Sequence, residues 1–242
     1  MKVVLWLGAV LFVIVLLFYA LFGSQTTTWV ETLTVTVATP NGLISASDSR
    51  EVSLAKMTGA VAGFGRATVN YRGRAVAFEV TPGRWFFALT AQENGSTYPL
   101  GLSGFYDAAK GIPLKNRRDG TLQTALFERP PGTQIDLPRH VWPPLVTFTD
   151  LADPLSMKLL NPDDIAATFG PGFSLAGLSL DLADNQSDSK LLHRLLPWLC
   201  APRENMMTLN FMNLSEQERQ IHNLSRPGNF ITYVDPACST HK

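Results

Sequence analysis

Charge is scarce in this chain and carries no excess of either sign. Charged residues make up 17% of the 242, and Lys plus Arg equal Asp plus Glu at 20 each. Without a net field there is nothing to draw in a phosphate backbone, so nucleic acid is not an expected partner. Histidines number four, His140, His193, His222 and His241, and none stands at metal-ligand spacing from another. No Ser lies in a G-x-S-x-G elbow and no H-E-x-x-H occurs. Glycines near Gly63 and Gly65 lack the helix and Lys that a phosphate loop needs, so no cofactor is expected. There is no internal repeat, and there are only two cysteines, Cys200 and Cys238.

Apolar material is plentiful. Hydrophobic residues reach 45%, with 14 Phe and 5 Trp, enough to bury a core and to exclude a disordered chain. Part of it is concentrated at the N-terminus, where Val3 to Phe22 reads VVLWLGAVLFVIVLLFYALF without a charge. Twenty residues of helix span about 30 Å, the thickness of a bilayer's hydrocarbon. A cleaved signal peptide has a shorter apolar run and small residues at its exit, whereas this one leaves through Ala20, Leu21, Phe22, Gly23 and Ser24. An uncleaved signal-anchor is the expected reading, and cleavage is the alternative. Lys2 precedes the run and the next basic residue is Arg50, which puts the N-terminus inside and the bulk of the chain outside. Residues 1–28 are therefore expected to be the anchor, and residues 29–242 one exported domain. Export to an oxidising compartment permits a Cys200–Cys238 disulfide, worth roughly 3–4 kcal/mol in the chain-entropy model.

The exported part reads as β-rich. Leu33, Val35 and Val37 alternate with Thr32, Thr34 and Thr36, the period of a half-buried strand over Trp29 to Thr39. Pro40-Asn41-Gly42 turns the chain, and Leu43 to Leu54 returns as its hairpin partner. A second hairpin is expected over Val61 to Val80, turning at Arg72-Gly73, before Pro82-Gly83 leads into an apolar strand at Trp85 to Ala91. A short helix near Leu102 to Lys110 and a strand near Leu122 to Phe127 are expected among long loops, followed by a strand at Leu145 to Phe148. Asn161-Pro162-Asp163-Asp164 has the composition of a capped helix start, stopped by Gly170-Pro171-Gly172 before a strand over Phe173 to Leu182. Leu191, Leu192, Leu195 and Leu196 form one face of a short helix over Ser189 to Leu196. Ser215 and Glu218 spell a capping box opening a helix to Asn223, and Phe230 to Val234 is expected as a last strand. The fold class is thus mainly β, an antiparallel sandwich or barrel-like domain with a few short helices, preceded by one transmembrane helix.

Four stretches carry a resemblance: LTVTVATPNGLISASDSREV from Leu33 to Val52, VTFTDLADP from Val146 to Pro154, NPDDIAATFGPG from Asn161 to Gly172, and LLPWL from Leu195 to Leu199. They are similar to a group of proteobacterial envelope proteins, held by a membrane helix or a lipoprotein signal and without an established activity. The resemblance implies an envelope location and brings no catalytic residue with it.

Two functions are compatible with these features. One is a non-catalytic envelope protein that binds a protein or wall component, with Trp142 or Trp198 in an exposed patch. The other is a membrane-tethered hydrolase using His140 with Asp150 or Asp153 in a loop-built cleft. His140 beside Arg139 reads first as a surface or structural histidine, and Asp153-Pro154 as a turn. The acidic residues Asp150, Asp153, Asp163 and Asp164 do not follow a calcium-loop spacing, and no metal site is expected.

Overall fold

The computed structural model describes residues 11–14, 17, 24–57, 68–90, 134–139, 142–181, 191–200 and 215–230. The chain falls into two compact units, Met1–Trp29 with Val52–Asn70, and Val30–Glu51 with Tyr71–Lys242. In the first, Leu11, Phe12, Val13, Ile14 and Leu17 are helical, and Thr28 Oγ1 meets Ser53 Oγ at 3.1 Å. Among the described residues no helix is long and apolar enough to cross a membrane.

The protein is β-rich, with two antiparallel sheets and few short helices. Strands β1 (Ser24–Thr39), β2 (Gly42–Met57), β3 (Thr68–Gly73), β6 (Ile135–Asp136) and β9 (Ser174–Asp181) form one sheet in the order β3-β2-β1-β9-β6. Strands β4 (Val76–Thr81), β5 (Arg84–Ala88), β7 (Leu145–Phe148) and β8 (Met157–Leu159) form the other, in the order β4-β5-β7-β8. The expected first hairpin is present, turned at Gly42 with φ 122°. Its alternation puts Leu33, Val35 and Val37 in the core, while the intervening threonines meet serines across the strand pair. Thr32–Ser49, Thr34–Ser47 and Thr36–Ser45 hydroxyls lie 2.8–2.9 Å apart. On the other side β1 pairs with β9 from Thr32↔Asp181 to Ala38↔Ser174, with a bulge between Thr36 and Val37.

The second sheet contributes apolar side chains from both of its faces. Val76, Phe78 and Val80 of β4, Phe86 and Ala88 of β5 and Leu145 of β7 join Leu33, Val35, Val37, Leu178 and Leu180 in one core. The alternate residues Phe87, Leu89, Val146, Phe148 and Met157 join a second core with Leu192, Leu196, Trp198, Leu199, Leu224 and Phe230. Burial of every β7 residue follows from this position between two cores, and its one polar side chain, Thr147, donates its hydroxyl to the Trp85 carbonyl at 2.7 Å. Three short helices are described: α1 (Ala166–Phe169), α2 (Leu191–Leu195) and α3 (Glu216–Leu224). The first core takes Phe169 of α1, and the second takes Leu192 of α2 and Leu224 of α3. A short 3-10 turn, Pro227–Asn229, is fastened to the second sheet: the Thr90 amide donates to the Asn229 carbonyl at 2.8 Å, and the Ala75 amide to the Phe230 carbonyl at 2.7 Å.

Several expectations change. The Arg72-Gly73 hairpin does not form, because β3 lies beside β2 in the first sheet while β4 pairs with β5 in the second. Gly73 is instead a point of close approach: a Cβ there would lie 2.7 Å from Arg50 Cβ. Pro82-Gly83 makes the true turn of β4 and β5, with Gly83 at φ 75° and its amide donating to Glu79 Oε1 at 2.6 Å. Asn161 does not cap a helix. Its Oδ1 accepts the Asp163 amide at 3.0 Å in a local turn, and Asp164 Oδ1 then takes the Ala167 amide at 3.1 Å, so α1 begins only at Ala166. Phe230 lies in a turn and its side chain is core. The segments expected at Leu102 to Lys110, Leu122 to Phe127 and Ile231 to Val234 lie outside the described residues.

The capping box at the start of α3 is present as read from the sequence. The Ser215 amide and hydroxyl each donate to Glu218 Oε2 at 2.7 Å, and the Glu218 amide donates to Ser215 Oγ at 3.3 Å. The side-chain and backbone hydrogen bonds from Ser215 hold the Glu218 carboxyl below its ordinary value. A carboxyl whose pKa is depressed by folding stabilises the helix above its unfolded pKa and loses that contribution as pH falls through the folded value. A carboxyl NMR titration is expected to place the Glu218 midpoint below that of an unstructured glutamate. A midpoint at or above the unstructured value would remove the cap from the acid-sensitive contacts.

Candidate functional site

The carboxylates singled out in the sequence, Asp150 and Asp153, sit on an exposed loop between β7 and β8 and are engaged by that loop's own backbone. Asp150 Oδ1 accepts the Ala152 amide at 2.9 Å, and Asp153 Oδ1 accepts the Leu155 amide at 2.9 Å, capping the 3-10 turn Pro154–Ser156. Ser156 closes the loop, donating its hydroxyl to the Asp150 carbonyl at 2.6 Å and accepting the Asp150 amide at 3.0 Å. These are the bonds by which aspartates shape turns. His140, their proposed companion, lies outside the described residues.

Its neighbour Arg139 is placed. The guanidinium is 4.7 Å from the centre of the Trp142 ring, and its Nη2 donates to Asp163 Oδ2 at 3.2 Å. Trp142 is half-buried, packed against the first core, with its indole N–H donating to the Leu137 carbonyl at 2.7 Å. The aromatic surface expected there is thus capped by a cation already held by an aspartate. Trp198 is not a surface residue: it is 7% exposed and packs edge-on to Phe230 at 5.3 Å between centroids. Its indole N–H donates to the Leu151 carbonyl at 3.0 Å, tying the Asp150 loop to the second core. Among the described residues, exposed large apolar side chains beyond the N-terminal helix are Leu43, Leu155 and Leu159.

Cys200 ends the 3-10 turn Pro197–Cys200 and is disulfide-bonded. Cys238 lies outside the described residues. The Cys200 Sγ is 3.4 Å from His193 Nδ1. Among the described residues, no three His, Cys, Asp or Glu side chains gather in a metal-holding group.

The most unusual chemistry lies where sequence reasoning placed nothing. Glu31 of β1 is fully buried, and its Oε1 is 3.2 Å from Nε of Arg50 on β2, whose side chain is 6% exposed. Beside it Asp48 of β2, also buried, has Oδ2 at 3.5 Å from Nε of Arg74, in the crossing between β3 and β4. The Thr–Ser pairs fix the register and put Glu31 directly across from Arg50. Two acids and two arginines thus continue the inward face that carries Leu33, Val35 and Val37 nearer the turn. The signal for this was available in the alternation: Glu31 shares parity with Leu33, Val35 and Val37, and Asp48 and Arg50 with Ile44, Ala46 and Val52. Charges are costly to bury unless paired and hydrogen-bonded, so the layer is a specific feature of this sheet. Its ion pairs join β1 to β2 and β2 to the crossing between β3 and β4. No protein-family model, curated protein or solved structure matches the chain.

Proposed function

We propose that this chain is a membrane-anchored envelope protein whose β-rich domain, folded as a sandwich, serves as a binding or structural module. The N-terminus lies on the cytoplasmic side of the membrane and the bulk of the chain on the outer side, which is the periplasm if the cell is Gram-negative. The observation that carries the reading is the state of the apolar helix: Leu11, Phe12, Val13, Ile14 and Leu17 are each 53–65% exposed. Consecutive helical residues are about 100° apart, so Leu11 to Ile14 sample every side of the helix. A helix that is apolar all round belongs inside a core or inside lipid, and these side chains are not in a core. They lie within the uncharged run from Val3 to Phe22, whose length suits a bilayer.

A non-catalytic role is supported by what the candidate carboxylates do. Asp150 and Asp153 shape their own loop, Asp163 holds Arg139, and Asp164 starts α1. The tether suits a module that meets its partner at the membrane surface.

Two experiments test the proposal in the native envelope. After an alkaline wash the full chain is expected to stay with the membrane pellet, and protease added to spheroplasts is expected to digest the exported domain. Release by the wash, or protection from the protease, overturns the anchor. Cross-linking of the intact protein is expected to capture one envelope component that a variant lacking residues 1–22 does not. Reproducible absence of such a component overturns the binding role.

A further inference from the structure

Asn41 and Gly42 are exposed at the turn that joins β1 to β2. The same Asn-Gly pair recurs at Asn94-Gly95, which lies outside the described residues. Having no side chain, Gly42 leaves its own amide nitrogen unshielded, and the space a Cβ would take there is open, with no heavy atom beyond the adjacent residues within 4 Å. The bonds that hold the turn come from Thr39 and not from the Asn41 carboxamide. The Thr39 hydroxyl accepts the Asn41 amide at 3.1 Å and donates to the Gly42 carbonyl at 2.9 Å. One hydroxyl thus fixes the chain on both sides of the Asn41–Gly42 peptide bond.

We infer that Asn41 is a deamidation site and that the Thr39 hydroxyl slows the reaction. The Gly42 amide nitrogen loses its proton to hydroxide and attacks Asn41 Cγ. A bond forms between that nitrogen and Cγ, the bond from Cγ to the side-chain nitrogen breaks, and ammonia leaves with a proton taken from water. The product is a five-membered succinimide, which a second water opens. Attack at Cγ restores the main chain and leaves aspartate. Attack at the Asn41 main-chain carbonyl breaks its bond to the Gly42 nitrogen and leaves isoaspartate, whose main chain runs through Cβ and Cγ. No oxidation occurs: water is consumed and ammonia released. To close the ring, the peptide plane has to rotate until its nitrogen meets Cγ, and the two bonds to Thr39 span the torsions that rotate. At least one of them breaks first, which is how the hydroxyl acts. Isoaspartate puts an extra carbon into the main chain next to Pro40, whose ring lies so near Gly172 that a Cβ there would be 3.0 Å from it. It also adds a carboxylate to a turn of uncharged residues.

The folded, full-length protein is incubated at pH 5 and at pH 8 and digested, and the turn peptide is resolved into asparagine, aspartate and isoaspartate forms by mass spectrometry. Both acids are expected at residue 41, isoaspartate in excess, and sooner at pH 8 because the attacking nitrogen has to be deprotonated. Thr39→Val is expected to speed their appearance by about fivefold, the scale of one or two lost hydrogen bonds, while Thr39→Ser, which keeps the hydroxyl, stays within about twofold of the original. The same chain unfolded in guanidinium is expected to react faster than the folded one by about fivefold or more. No product at residue 41 in the folded chain, or aspartate without isoaspartate, overturns the deamidation site. Equal rates for folded and unfolded chains, or for Thr39→Val and Thr39→Ser, overturn the role of Thr39. The comparison of folded with unfolded protein needs only the unmodified chain, so it decides the matter even where a variant fails to fold.

Discussion

Glu31→Ala is expected to lower the unfolding free energy by about 3–5 kcal/mol, the usual loss when one member of a buried ion pair is removed. The carboxylate is the counter-charge of a guanidinium that is only 6% exposed, 3.2 Å away. Its removal leaves Arg50 to be compensated by what remains around it, in a place where water does not reach easily. Replacing both partners by apolar residues, Glu31→Leu with Arg50→Met, removes the desolvation of two charges along with their attraction. The double variant is expected to be more stable than Glu31→Ala and, by comparison with other buried pairs, within about 2 kcal/mol of the original protein. Urea unfolding followed by tryptophan fluorescence measures all three chains. A Glu31→Ala loss below about 1 kcal/mol, the scale of an exposed pair, would show that water reaches the site. A double variant as weak as the single one would show that this position of the sheet demands charge.

That expectation leads to what the layer is for in the fold. Strand register is fixed where one face is buried, because a slip of one residue exchanges the faces. In β1 and β2 a slip of two residues keeps the faces and would be tolerated by Leu33, Val35 and Val37, which are similar in shape. It is not tolerated by Glu31 and Arg50: a slip one way sets Glu31 opposite Asp48 and Arg50 opposite Trp29, and a slip the other way sets Glu31 opposite Val52 and Arg50 opposite Leu33. The Thr–Ser pairs on the other face add a weaker preference, of roughly 0.2–1 kcal/mol per pair.

Legibility of the fold in the sequence follows the range of each interaction. Features decided by adjacent residues were readable: the alternation of β1, the turns at Gly42 and Gly83, the Gly170-Pro171-Gly172 stop, and the capping box of α3. Features decided by partners far away were not. Nothing local distinguishes Arg72-Gly73 as a crossing between two sheets from Arg72-Gly73 as a hairpin turn, because the choice is made by Arg50 and by β5. Asn161 and Asp164 both have capping side chains, and the local turn that Asn161 closes displaces the helix start by a few residues. The buried charges were legible in principle from parity, but a charged residue on an apolar face is ordinarily read as the end of the strand's buried part. The aspartates at 150 and 153 were legible as turn formers, and their loop's attachment to Trp198 was not.

Trp198 and Phe230 govern the second core, and the next large effect is expected there. Phe230 is fully buried, lies 5.3 Å from Trp198 and 6.2 Å from Phe87 between ring centres, and meets both nearly edge-on. Phe230→Ala is expected to cost about 3–5 kcal/mol, since truncating a core phenylalanine loses its transfer energy and leaves a cavity. The Phe230 carbonyl still accepts the Ala75 amide, so the main chain is held at that point and the cavity cannot easily collapse. Trp198 loses an edge-on partner, and its fluorescence in the folded protein is expected to change along with the unfolding midpoint. Phe173→Ala is the control: Phe173 is only partly buried against the first core, and its loss is expected to be about 1 kcal/mol with no change in Trp198 emission. Equal losses for the two variants would mean that the second core is as loosely packed as the rim of the first. A large loss at Phe230 with unchanged emission would mean that Trp198 is positioned by its bond to Leu151 rather than by the ring packed against it.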